Sequence, residues 1–358
     1  MYPSAEPRKA WRPTYHDHHV HLLATAAARL STDVSAATTV AEVVDVIAIS
    51  AAGGRGWVRA WGYDDAFLTE HRHPTRGDLD AVSRPTVLHH RTGHVAVLNS
   101  AALRELDVDA PDGVLVDGHD VLGRVPRIGA ADLERAVAAV SAEWAGRGIA
   151  GFTDATHTNG PDELALLDDW CGRGLVRQRV TAMVGVAHLD DIPTLRHVRH
   201  GPAKVMSDVA AGVAAAHRAG FPAAVHVMDV DTLDVTLAAF ESDRPPTGTA
   251  DRIEHNALSL PEQVDRIAAV GATVVVNPSF LVHRAAKYHR ELSTVEHSWL
   301  VRIRSLLDAG IAVLAGSDSP VVPADPSETI AAATAHPFAP AESVSVEIAT
   351  QMCQELPR

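Results

Sequence analysis

The segment Asp17-His18-His19-Val20-His21 sets two imidazoles two residues apart. Along an extended strand alternate side chains share a face, so His19 and His21 point one way and His18 and Val20 the other. Two neutral imidazoles on one face are a ready ligand pair for a divalent metal ion. Further on, Lys204, His226, His255 and Asp318 each stand at or near the end of a short run of β-branched or small apolar residues. Each has an ordinary explanation taken singly: a buried ion pair for Lys204, satisfied core histidines at 226 and 255, an N-cap at Asp318. Their recurrence at the same end of successive runs is better explained by one shared metal site. Histidine is also abundant overall, its 21 copies outnumbering the 6 Phe, 4 Tyr and 6 Trp together.

The runs that carry these residues read as strands at His16–Leu22, Ile149–Thr156, Arg177–Val184, Pro202–Ser207, Ala223–Met228, Asp251–Asn256, Ala272–Pro278 and Ile311–Asp318. Helical patterns lie between them at Asp162–Arg173, Val209–Ala219, Thr232–Glu241, Pro261–Val270 and Val295–Ala309. Gly174, Gly220, Gly271 and Gly310 stop helices just before the next strand, and Pro261 opens one. Eight strands with helical crossovers predict an α/β fold, a closed (β/α)₈ barrel, whose chemistry gathers at the C-terminal strand ends. A doubly wound open sheet would carry a Gly-rich phosphate turn after its first strand, and none follows His21. The barrel is thus expected from 1–22 and 149–358, with 23–148 an inserted subdomain over the barrel mouth. That insertion has strand-like pieces of its own at Trp57–Tyr63 and Thr86–His90.

Composition narrows the partners. The 358 residues are 46% hydrophobic, enough for a sizeable core, and carry 31 Lys and Arg against 45 Asp and Glu, a net charge of −14. Such a surface repels nucleic-acid backbones and anionic lipid, which leaves a small-molecule substrate, with a homo-oligomer open. Two cysteines, Cys171 and Cys353, make neither a disulfide framework nor a four-thiolate zinc site and fit a reducing compartment. Met1–Tyr15 is polar and Pro-rich with no signal-peptide core, and no uncharged apolar run is long enough to span a bilayer. A cytoplasmic location is expected.

His-x-His on the first strand, Lys on the fourth, His on the fifth and sixth and Asp on the eighth resembles the ligand pattern of the amidohydrolase superfamily. The finer text is similar to its YtcJ-like branch, amidohydrolase family 3. It includes Trp57-Val58-Arg59-Ala60-Trp61-Gly62-Tyr63-Asp64, Gly93-His94 followed by Asn99-Ser100-Ala101-Ala102-Leu103, and Gly201-Pro202-Ala203-Lys204. Val225-His226, Arg252-Ile253-Glu254-His255 and Gly316-Ser317-Asp318-Ser319-Pro320 complete it. Members usually flank the barrel with a β-sandwich. With the metal motif starting at residue 17 and about 40 residues after Asp318, a barrel lacking most of that sandwich is expected.

The resemblance implies a divalent metal site, Zn²⁺ expected and two ions favoured, held by His19, His21, Lys204, His226, His255 and Asp318. A protonated lysine has no lone pair for a metal. The family precedent implies that CO₂ carboxylates Lys204 into an anionic bridge. Asp318 is then the catalytic base and acid in hydrolysis of an amide or related C–N bond, whether N-acyl, formamide or cyclic amide. Substrate contacts are expected from His94, Asn99, Trp61, Asn277, His283 and Tyr288. Trp57, Tyr63, Asp154 and His157 form a second tier. Glu254 is expected to turn away from His255 into an ion pair with Arg252.

Three other readings stay open. A mononuclear deaminase would use His19, His21, His226 and Asp318 with His255 as electrophilic helper. An esterase or lactonase could use the same site. A catalytically silent binding protein is the third, though it has no need of so many costly polar groups at strand ends.

Overall fold

A computed structural model describes residues 14–355, so most of the Pro-rich segment Met1–Tyr15 lies outside the described residues. Thirteen strands occur among them: β1 (Tyr15–Val20), β2 (Thr32–Asp33), β3 (Val58–Tyr63), β4 (Thr86–His90), β5 (Val95–Leu98), β6 (Val114–Val116), β7 (Ile149–Asp154), β8 (Arg179–Gly185), β9 (Val198–Val205), β10 (Ala223–Val227), β11 (Arg252–His255), β12 (Thr273–Val276) and β13 (Val313–Ala315). They form two sheets, one of eight strands in the order β1-β7-β8-β9-β10-β11-β12-β13 and one of five, β2 to β6 in sequence order.

Every pairing in the eight-stranded sheet is parallel, as helical crossovers require. Its two ends meet just beyond β13. The Asp318 N–H donates to the His19 carbonyl at 2.7 Å, the His21 N–H donates to the Ser319 carbonyl at 2.8 Å, and Val20 bridges Ser319. The sheet is therefore a (β/α)₈ barrel, and one of the bonds that close it joins two residues of the expected metal set, His19 and Asp318. All eight expected barrel strands are present, and so are the two expected in the insertion.

The expected glycine stops hold, since Gly174, Gly220, Gly271 and Gly310 all take positive φ, between 73° and 83°, at helix ends. Gly316 is required for another reason. A Cβ there would lie 2.6 Å from both the backbone N and the Cβ of His19, so only glycine lets the end of β13 approach β1 this closely. The helix expected over Val295–Ala309 is instead two short ones, Thr294–His297 and Ile303–Asp308. Between them Trp299–Val301 leaves the helix to pair with the loop after β11. The Ser259 N–H donates to the Trp299 carbonyl, the Val301 N–H donates to the Ala257 carbonyl, and Leu258 bridges Leu300. That tertiary pairing outweighs the local helical pattern.

The inserted segment opens and closes on helices that belong to the barrel's packing. Leu22–Arg29 buries Leu22 and Ala26, and Ala130–Gly146 buries Ala136, Val137, Val140 and Trp144, in the same core as the barrel strands. Trp144 meets Phe152 of β7 edge-on at 5.3 Å. Between these helices sits the five-stranded sheet, with apolar clusters of its own on either side. No helix among the described residues is long and apolar enough to cross a membrane.

Candidate metal centre

The C-terminal ends of the barrel strands open into a cavity of about 320 Å³ lined by His19, His21, Lys204, His226, His255 and Asp318 together. Six residues up to 299 positions apart in sequence thus share one wall. Asp318 Oδ1 lies 3.0 Å from His21 Nε2 and 3.5 Å from His19 Nε2, and these three side chains form a group compact enough to hold one ion. The His255 ring lies 4.6 Å from those of both His19 and His226.

The hydrogen bonds behind the imidazoles decide which nitrogen is free. Glu254 Oε2 accepts from His19 Nδ1 at 2.5 Å, and Asn277 Oδ1 accepts from His255 Nδ1 at 2.7 Å while Asn277 Nδ2 donates to the Gly316 carbonyl. Both rings therefore turn an unprotonated Nε2 toward the cavity, the form a metal ligand must have. Burial pushes the pKa of His19, His226 and His255 well below 6.5, with Lys204 adding to the effect at each, so all three are neutral. Burial alone would raise Asp318. The hydrogen bond from His21 and the neighbouring His19, His21 and Lys204 outweigh it and hold the carboxylate below its usual range.

Lys204 is the group the protein alone does not satisfy. It is 2% exposed, its Nζ has no hydrogen-bond partner, and burial lowers its pKa. A buried amine left unpaired costs free energy unless something joins it. An orphaned amine beside three neutral imidazoles and a carboxylate fits a divalent metal and an acidic modification of the amine.

Backbone strain gathers here as well. His255 and Asp318 both hold left-handed φ, 71° and 64°, which non-glycine residues adopt at a cost. At His255 this turn ends the strand alternation. Glu254 was expected to face away into an ion pair with Arg252; it does bond Arg252, at 2.8 and 3.2 Å, but it also grips His19. Adjacent residues of β11 therefore both reach the His19 ring, which simple alternation forbids. The bond from His19 to Glu254 is the contact that sequence reasoning missed, and only the place of Glu254 beside His255 could have pointed to it. Replacing Glu254 by Gln keeps the shape while weakening the acceptor that fixes the His19 tautomer. Metal affinity is expected to fall about 10- to 100-fold, as measured by competition with a chelator.

Of the expected substrate contacts, His94 and Trp61 line the cavity. His94 is oriented by Asp117 at 2.8 Å and its ring lies 5.6 Å from that of His226. The other four are placed elsewhere. Asn99 is wholly buried as the N-cap of helix Ser100–Leu106, accepting from the Ala102 and Thr86 N–H groups and donating to the Val82 and Arg84 carbonyls. Asn277 spends both ends of its amide on His255 and Gly316. His283 pairs with Glu328 at 3.0 Å, and Tyr288 is buried edge-on to Phe338. In the second tier, His157 lines the cavity and Asp154 does not: its carboxylate caps the turn after β7 through the Leu22 and Thr156 N–H groups and Asn159. Trp57 donates to Glu105, and Tyr63 bonds His73.

Asp64, Asp65 and His90 also stand close enough together to hold an ion. The Thr92 N–H donates to His90 Nδ1, however, so Nε2 carries the proton and faces Asp64 at 3.5 Å and Asp65 at 3.2 Å. The three are held as ion pairs, although His90 Nε2 and Asp64 Oδ2 make no hydrogen bond.

The chain is similar to known proteins over most of its length. An N-substituted formamide deformylase from Arthrobacter pascens is 25% identical over 426 aligned positions, covering 95% of this chain and 77% of that protein. Crystal structures of uncharacterized metal-dependent hydrolases from Pyrococcus horikoshii OT3 and Pyrococcus furiosus share the fold, with TM-scores of 0.74 and 0.73 at 20% and 22% identity. They cover 94% and 95% of this chain, and it covers 78% and 80% of theirs. The amidohydrolase family's sequence profile matches residues 13–357, nearly the whole length, and the chain belongs to that family.

Proposed function

We propose that this hydrolase cleaves the C–N bond of small amides, N-substituted formamides foremost, with Asp318 carrying the proton traffic. The observation behind this reading is the convergence of His19, His21, Lys204, His226, His255 and Asp318 on one cavity. The similarity to a formamide deformylase supports the substrate class. His19, His21 and Asp318 would hold one divalent ion and His226 and His255 a second, with zinc suited to a set so rich in imidazole. Lys204, carboxylated by CO₂, would become an anion able to serve both. When bound, the metal supplies Lewis acidity and a water of lowered pKa.

The protein's own contribution is placement. Glu254 and Asn277 lock two ligand rings. The buried Asp318 carboxylate, kept ionised beside His21, accepts a proton and returns it to the departing amine. The inserted segment 23–148 serves as the cover over the mouth, a role supported by the cavity wall it supplies through Arg59, Trp61, His94 and Ile128.

The test is release of formate and amine from N-alkyl and N-aryl formamides by freshly purified protein, with bound metal measured by elemental analysis. Formate appearing in step with about two ions per chain supports the reading. Turnover of lactones alone, or ammonia from an aminated heterocycle at one ion per chain, would replace it with the esterase or the deaminase.

A further inference from the structure

In a chain whose net charge is −14, two arginines, Arg59 and Arg91, line this cavity away from the expected metal ligands. Several arginines elsewhere hold carboxylates, as Arg72 does Asp78, Arg173 Glu134 and Arg266 Glu241, though none of these lines the cavity. Arg59 holds none within 4.0 Å among the described residues; its Nη2 donates to the Pro126 carbonyl. Arg91 likewise has no carboxylate and lies 5.6 Å over the Phe67 ring.

Arg59 is half-buried on β3, two residues from Trp61, and the parallel register sets Trp61 beside His89 of β4. Arg59, Trp61 and His89 all face the cavity. Burial, with Arg59 beside it, holds His89 down at about 4, so at neutral pH this ring carries no charge and Arg59 is the cation of this wall. A guanidinium has five N–H donors in a planar fork, and most of these are unspent here. Around it the walls are apolar, with Trp61, Leu122, Ile128 and the alanines of helix Leu22–Arg29.

A half-buried guanidinium with donors to spare, no internal counter-ion and apolar neighbours is a binding site for a planar anion on an otherwise apolar molecule. We propose that Arg59 anchors a carboxylate of the substrate, so that the enzyme acts on small amides bearing a carboxylate away from the scissile bond. This deepens the amide-hydrolase reading and rests on it for the reaction, though not for the binding.

Two measurements separate the ideas. Calorimetric titration with 3-phenylpropanoate and with its uncharged isostere 3-phenylpropanamide reads the anion site without any reaction, in metal-loaded and in chelated protein. The carboxylate is expected to bind at least about ten-fold tighter in both forms, and Arg59→Met to erase that preference. Equal binding of the two, or a preference that survives Arg59→Met, overturns the proposal. In parallel, kcat/KM for N-formylphenylalanine against N-formylphenylalaninamide should favour the acid in the wild type and approach parity in Arg59→Met. A binding preference that depends on Arg59, with neither formamide hydrolysed, would keep the anion site and refute the formamide reaction instead.

Discussion

Lys204→Met is expected to lower kcat/KM by about 10³-fold while making the metal-free protein more stable. The loss follows from removing the central ligand position: one ion's share of transition-state stabilisation, roughly 4 kcal/mol, corresponds to about three powers of ten. The gain follows from the state of Lys204 in the protein alone, a 2%-exposed amine with no partner for its Nζ. Methionine has a similar volume and no group to desolvate, so chelated Lys204→Met should exceed chelated wild type by about 1–3 kcal/mol in denaturant unfolding. Elemental analysis should show fewer than two ions per chain in the variant. Bicarbonate added during reconstitution should raise wild-type activity and leave the variant unmoved. Near-normal activity, or an apo-protein weakened by the change, would show that Lys204 is an ordinary buried residue.

Asp318→Asn should cost about 10²- to 10⁴-fold in kcat, the usual range for a lost general acid–base group. Asparagine keeps the shape and is among the residues best able to hold the left-handed φ of 64° at this position, so the fold should survive. A Tm within a few degrees of wild type, beside collapsed turnover, separates a chemical role from a structural one. Asp318→Ala is the useful contrast, because it removes the carboxylate and also leaves a residue less suited to that backbone. Unaltered turnover in Asp318→Asn would move the proton-transfer role to another group.

A good deal of this enzyme was legible in the sequence. Parallel barrel strands are short, apolar and separated by helices with recognisable ends, so residues such as Gly220, Pro261 and Gly271 mark the elements by local chemistry alone. A barrel puts its chemistry at strand ends, so the metal-competent residues at or near the ends of the runs pointed to His21, Lys204, His226, His255 and Asp318, which the structure brings to one cavity. Residues of the inserted sheet were harder to place. His94 and Trp61 do reach the cavity, whereas Asn99, equally polar and close by in sequence, caps a helix.

What the tertiary structure decided is which partner each polar group meets. Glu254 meets His19 across 235 positions because a left-handed turn at His255 breaks the strand alternation on which its expected direction depended. Asn277 faces His255 instead of substrate because β12 lies beside β11. Arg59 stands half-buried in the cavity wall with no carboxylate within 4.0 Å among the described residues, a combination that no stretch of sequence can display. The sequence by itself determined the strands, the helix ends and the residue types at the barrel mouth, because these follow from local backbone preference and periodicity. Tautomer, buried charge and unmet hydrogen bonds depend on neighbours brought together only when the barrel closes, and the tertiary structure alone decided them.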